Sequence, residues 1–137
     1  MGIYKDRGDI IRMWGGSTVA SVGLGLVKGT DPNVVILPTT DNVEIEGVTV
    51  TSQQNERAPI LLRKSGLVLV LITGDFVVGD SIVCISGGRF SSVTVAGTAN
   101  LVAIGEVYNI VGRAITVHRT GNWSYMDIYK NHIVRES

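Results

Sequence analysis

Disulfides, clustered metal ligands, excess charge and long apolar runs are all scarce or missing from this sequence. A single cysteine, Cys84, cannot form an intramolecular disulfide, so folding does not depend on an oxidising compartment. His118 and His132 stand far from each other and from Cys84, which leaves no Cys/His cluster of the kind that holds a structural metal, and no metal site is expected. Charge is sparse and balanced: 18% of the residues are charged, with 12 Lys and Arg against 12 Asp and Glu. A chain with no net charge has no long-range pull toward nucleic acid or an anionic membrane, and neither is expected as a partner. No GKS or GKT occurs, which excludes a Walker-type phosphate loop. The longest strongly apolar run, Leu67 to Ile72, falls far short of the ~20 residues that span a bilayer as a helix. The opening MGIYKDRGD is charged where a secretory signal is apolar, and Asp6 stands where a myristoylation signal has Ser or Thr. No export signal or membrane anchor is expected.

Glycine, by contrast, is plentiful. The 17 glycines separate short Val/Ile/Thr-rich runs, the pattern of many short strands joined by tight turns. The 137 residues suit one domain with a self-sufficient core. Only Val102 to Val111 approaches a helical apolar stripe, and Gly105 weakens it, so at most one short helix is expected. In VEIEGVTVTS the apolar parity changes at Gly47, which must therefore act as a bulge or corner if one face is to stay in the core. Gly79-Asp80 precedes the run SIVCIS, and Gly87-Gly88 forms a hairpin turn before FSSVTVA. Leu67 to Ile72, apolar on both faces, is placed at the centre. The expected fold is all-β: a compact small β-barrel or β-sandwich with an extended N-terminal arm. The expected divisions are residues 1–16 as an arm or edge strand, 17–122 as the β domain, and 123–137 as a C-terminal strand or tail. Ile3, Tyr4, Ile10, Ile11 and Trp14 lie among charges in the first segment, and Trp123, Tyr125 and Tyr129 follow strand spacing in the last.

Reactive side chains are dispersed. GLGLVKG, Gly23 to Gly29, brushes the dinucleotide fingerprint, but its last glycine is one residue late and no βαβ unit surrounds it. Glu44 and Glu46 share a strand face, which a charged outer surface explains better than a catalytic carboxylate pair. Asp75 and Asp80 follow glycines, where a carboxylate caps a turn. His118 reads as a solvated strand residue, and Cys84, inside Ile82 to Ile85, as a small core hydrophobe. Arg7-Gly8-Asp9 and the sequon Asn122-Trp123-Ser124 carry meaning only in a secreted protein. No catalytic residue and no cofactor is expected, and exposed apolar residues at the two ends point instead to a partner that covers them.

Several blocks occur together in one order: the arm with Gly8-Asp9, the Gly-Val-Thr-Val strand at Gly47 to Val50, and the Ser-Gly-apolar run at Ser65 to Ile72. VVGDSIV at Val77 to Val83 with its Gly-Gly hairpin follows, then IGEVYNIVGRAITV at Ile104 to Val117. In this pattern the chain resembles the small head-decoration, or structural cement, proteins of tailed bacteriophages, over most of residues 6 to 118. The resemblance implies a non-enzymatic virion protein, made in the host bacterial cytoplasm, that sits on the outer surface of an expanded head. It implies a homotrimer that clamps neighbouring subunits of the major capsid protein. It further implies that residues 1–14 form the capsid-binding arm, with Ile3, Tyr4, Ile10, Ile11 and Trp14 as anchors. The segment from Trp123 onward extends past the pattern; it can close the β domain, line an oligomer or partner contact through Trp123, Tyr125 and Tyr129, or form a second arm.

Three other classes compete. LVLVLITGDFVVGDSIVCI has the rhythm of a biotinyl- or lipoyl-like carrier domain, but the hairpin tip offers Gly87-Gly88 and Arg89 in place of a modifiable lysine. A small β-barrel enzyme would have to gather Glu44, Glu46, Asp75 or His118 in one pocket. A carbohydrate-binding β module would use Trp123, Tyr125 and Tyr129 as a stacking platform, although rings at strand spacing more often serve a core or subunit interface.

Overall fold

Alternating short strands and glycine turns fold into two joined β units. The computed structural model describes residues 10–74, 77–93, 104–117 and 123–134. The first unit is a closed five-stranded barrel of β1 (Ile10–Gly15), β2 (Gly25–Lys28), β3 (Val34–Ile36), β4 (Gly47–Thr49) and β5 (Pro59–Arg63). Its order around the barrel is β1-β3-β2-β4-β5; β1 runs parallel to β3, and every other pairing is antiparallel. The second unit is a five-stranded sheet in the order β6-β10-β9-β7-β8, from β6 (Gly66–Leu71), β7 (Ser81–Cys84), β8 (Phe90–Ser92), β9 (Val107–Val117) and β10 (Trp123–Val134). All its pairings are antiparallel. A parallel bridge between Ile72 and Phe90 draws its two outer strands toward each other.

The core follows the period-two alternation of these strands. Ala20, Leu26, Val35, Ile60 and Leu62 fill the barrel, with Ile11, Met13 and Leu37 packed against them. Ile45 and Val48 join Val68, Val70, Ile72, Ile82, Cys84, Phe90 and Met126 in a larger cluster between the barrel and the inner face of the second sheet. Glycine makes the close approach possible. A Cβ on Gly25 would stand 2.8 Å from Cys84 Sγ and 3.0 Å from Phe90 Cζ.

The all-β expectation holds, and Gly47 is the expected corner. Val43 bridges Cys84 of the second sheet, whereas Gly47 to Thr49 pair within the barrel, so the chain changes units between them. The allowance for a helix near Val102 to Val111 is not met where the chain is described, because Val107 onward is strand β9. Among the described residues the one helical turn is the 3-10 turn Ser86–Gly88 at the β7–β8 hairpin. Gly87 and Gly88 both have φ +86°, and Ile85 N donates to Arg89 O at 2.9 Å to close the turn.

The first segment departs from expectation. Residues 10–15 are neither arm nor edge: β1 pairs with β5 from Ile10 to Trp14 and with β3 at Trp14 and Gly15. A strand that closes a barrel cannot detach without opening it, so a boundary after residue 16 does not match the structure, and residues 1–9 lie outside the described residues. The last segment is a strand, one of the two forms expected of it: β10 lies in the interior of its sheet, held between β6 and β9. Leu67 to Ile72, expected at the centre, forms an outer strand of its sheet. Its Val68, Val70 and Ile72 enter the core while Leu67 is 51% exposed.

Candidate interaction surface

The residues singled out in the last segment meet on the outer face of the second sheet. Trp123 lies opposite Leu71, Tyr125 opposite Leu69 and Asp127 opposite Leu67, and directly opposed residues share a face. Between Tyr125 and Met126 the β9 partner jumps from Thr116 to Ala114, and the extra residue, Ile115, is turned outward at 38% exposure. Tyr125 is 37% exposed. The inward positions Ser124, Met126 and Ile128 are buried, so a single strand carries core on one side and, on the other, an aromatic surface interrupted by Asp127.

Within that face the aromatic residues differ. Trp123 is half-buried, and its ring passes over the Gly23 turn, where an added Cβ would stand 2.5 Å from Cζ3. Tyr129 packs on a third cluster of Val83, Tyr108 and Ile110, with the Arg113 guanidinium 5.4 Å from its ring centroid. Tyr125 is the aromatic residue left accessible, beside Leu67, Leu69 and Ile115. The contribution of β6 was legible in principle: Leu67, Leu69 and Leu71 share a parity opposite to Val68 and Val70. A strand with leucines on its outward face signals a covered surface.

The expected arm anchors are dispersed. Ile3 and Tyr4 lie outside the described residues. Ile11 packs into the barrel, while Ile10 and Trp14 point outward from β1 at 45% and 46% exposure. The Arg12 guanidinium stands 5.5 Å from the Trp14 ring centroid.

The reactive groups are engaged separately. Glu44 meets His132 Nε2 at 3.2 Å and Glu46 meets Lys64 at 3.8 Å, so the two carboxylates serve different, solvent-exposed pairs. Asp80 Oδ2 accepts from Val77 N at 2.9 Å and from Ser92 Oγ at 2.8 Å, which is the turn role expected of it. Asp75 and His118 lie outside the described residues. Cys84 is fully buried, and burial, aided by the nearby Asp41 carboxylate, pushes its thiol up to about 12. The thiol is thus an inert core group. Among the described residues no three His, Cys, Asp or Glu side chains gather in metal-binding geometry. The Gly23–Gly29 stretch leads from a turn into β2 with no helix behind it.

Two polar residues that the sequence did not single out organise this scaffold. Gln53, 4% exposed, donates from Nε2 to Gly16 O and Asn55 O, both at 2.8 Å, and accepts from Ala20 N at 3.2 Å. Asn42, at φ +61°, caps the open edge of β9: Nδ2 donates to Val107 O at 2.9 Å and Oδ1 accepts from Asn109 N at 2.8 Å.

No protein-family model matches the chain, and no curated protein sequence matches it. A solved structure does share its fold: the head fiber gp8.5 N base of bacteriophage phi29 superposes with a TM-score of 0.63. The alignment covers 88% of this chain and 95% of that one at 11% sequence identity. At that identity the likeness speaks for the fold.

Proposed function

We propose that this chain is a non-enzymatic structural protein of a phage head. It decorates the outer surface of the expanded shell as a homotrimer and clamps neighbouring subunits of the major capsid protein. The observation that carries the reading is the outer face of the second sheet, where Leu67, Tyr125 and Ile115 stand exposed on a rigid, hydrogen-bonded platform. Fold likeness to a head-fibre base over nearly the whole of both chains supports it. On this reading the contact with the shell is made by this face and by the segment preceding Ile10.

The mechanism is mass action. A protein that binds only the expanded shell lowers that state's free energy, by about 2.7 kcal/mol per site at a hundredfold excess over Kd. Contacts to several subunits add by avidity, and about 800 Å² per partner suffices for each. A second reading follows from the same likeness: the domain acts as the base on which a projecting head fibre stands. The carrier reading finds less support, because the β7–β8 turn is Ser86–Gly88 followed by Arg89 and presents no lysine.

Co-sedimentation with compact and expanded heads assembled from the cognate major capsid protein tests the reading. Saturable binding to expanded heads alone is expected. Absence of binding to either form contradicts it, and binding at a few symmetry-related sites only would favour the fibre base.

A further inference from the structure

On the barrel, away from the residues of the apolar sheet face, a cleft of about 390 Å³ opens beside the end of β1. That volume is within the range of small-molecule sites. Trp14, Ser17, Thr30, Asp31, Val34 and Arg57 line it. Its walls are fixed by backbone and buried side-chain bonds. Trp14 N donates to Asn33 O and Gly15 N to Ala58 O, each at 2.9 Å, and Arg57 N donates to Gly16 O at 3.0 Å. The buried Gln53 amide holds the same Gly16 carbonyl at 2.8 Å. A Cβ on Gly15 would stand 2.2 Å from Gln53 Cδ, so the glycine lets the amide sit directly beneath the floor.

The lining has a definite chemistry. Trp14 presents an accessible indole, already held by Arg12. Asp31 and Arg57 are exposed, and among the described residues neither is engaged in an ion pair. An anion would gain from Arg57 and lose against Asp31, and a cation the reverse. A wholly apolar ligand would desolvate both charges without pairing them. A neutral polyol satisfies both, its hydroxyls donating to the carboxylate and accepting from the guanidinium, while an apolar ring face covers the indole.

We propose that this cleft binds a neutral saccharide, with one pyranose ring stacked on Trp14 and adjacent hydroxyls bonded to Asp31 and Arg57. Ser17 and Thr30 supply further hydroxyl partners. Its lining shares no residue with the outer sheet face, so a chain that decorates a head, as proposed above, holds the shell through one surface and a glycan through another.

The test is titration of the ¹⁵N-labelled protein with neutral oligosaccharides of glucose, mannose, galactose and N-acetylglucosamine. At least one is expected to move the Trp14 indole N–H and the Ser17, Thr30 and Arg57 amides saturably. Trp14→Ala and, separately, the exposed Asp31→Asn are expected to weaken that binding by about tenfold or more while the spectrum stays folded. The absence of a saturable shift with every sugar, shifts confined to another surface, or unchanged affinity in both variants would overturn the proposal.

Discussion

Single residues here are selected by what surrounds them. Gln53 replaces three hydrogen bonds that water would otherwise make, and leucine in its place would leave Ala20 N, Gly16 O and Asn55 O without it. Gln53→Leu is therefore expected to destabilise the domain by about 2 kcal/mol or more, measured by urea denaturation. Cys84 gives a pH signature. Its folded thiol is raised to about 12 from an ordinary value of 9.0, so between those pH values the unfolded chain loses its proton while the folded chain keeps it. Stability from this group is complete below pH 9.0 and lost as pH climbs toward 12, with a slope of up to about 1.4 kcal/mol per pH unit. Cys84→Ala removes that component, and comparing the alkaline denaturation slopes of the two proteins checks it. The core role of Cys84 was legible because apolar residues flank it on both sides. Gln53 was not, since a glutamine in a polar stretch looks the same whether it faces water or a folded loop.

At the scale of elements, local turn chemistry was the readable part. The Gly-Gly hairpin, the Gly-Asp turn and the Gly47 corner each need a backbone that few residues can adopt or a Cβ that has no room. At Gly47 a Cβ would stand 2.9 Å from Arg63 O. Partner choice was not readable. β1 carries charges among its apolar residues, as an arm does, and only closure by β3 and β5 turns it into a barrel strand. β10 looked terminal in sequence and is interior in space for the same reason: pairing is set by distant segments. The Asn42 cap illustrates this, joining positions 65 and 67 residues apart. Asn42→Ala is expected to uncap β9, costing about 1–3 kcal/mol and speeding hydrogen exchange at the Asn109 amide. Unchanged exchange there would show that the edge needs no cap.

For the whole molecule, two packed β units leave the second sheet with apolar residues on both faces, one face covered by the barrel and the other partly open around Asp127. The aromatic pattern in the last segment revealed this face in the sequence, but its extent depended on the register that sets Leu67, Leu69 and Leu71 beside Trp123 and Tyr125. Assembly adds a prediction. If the outer face seats on the shell, Leu67→Glu with Tyr125→Glu leaves the melting temperature within a few degrees of wild type, because both side chains are substantially exposed. Attachment is lost because the charges would be buried unpaired at the contact.

The most direct test is cryo-electron microscopy of expanded heads incubated with the wild-type protein and with the Leu67→Glu/Tyr125→Glu variant. The account predicts wild-type density on the outer surface, with β6 and β10 against the major capsid protein, and bare heads with the folded variant. Heads decorated equally by both proteins, or a wild-type domain attached with that sheet face turned to solvent, would contradict it.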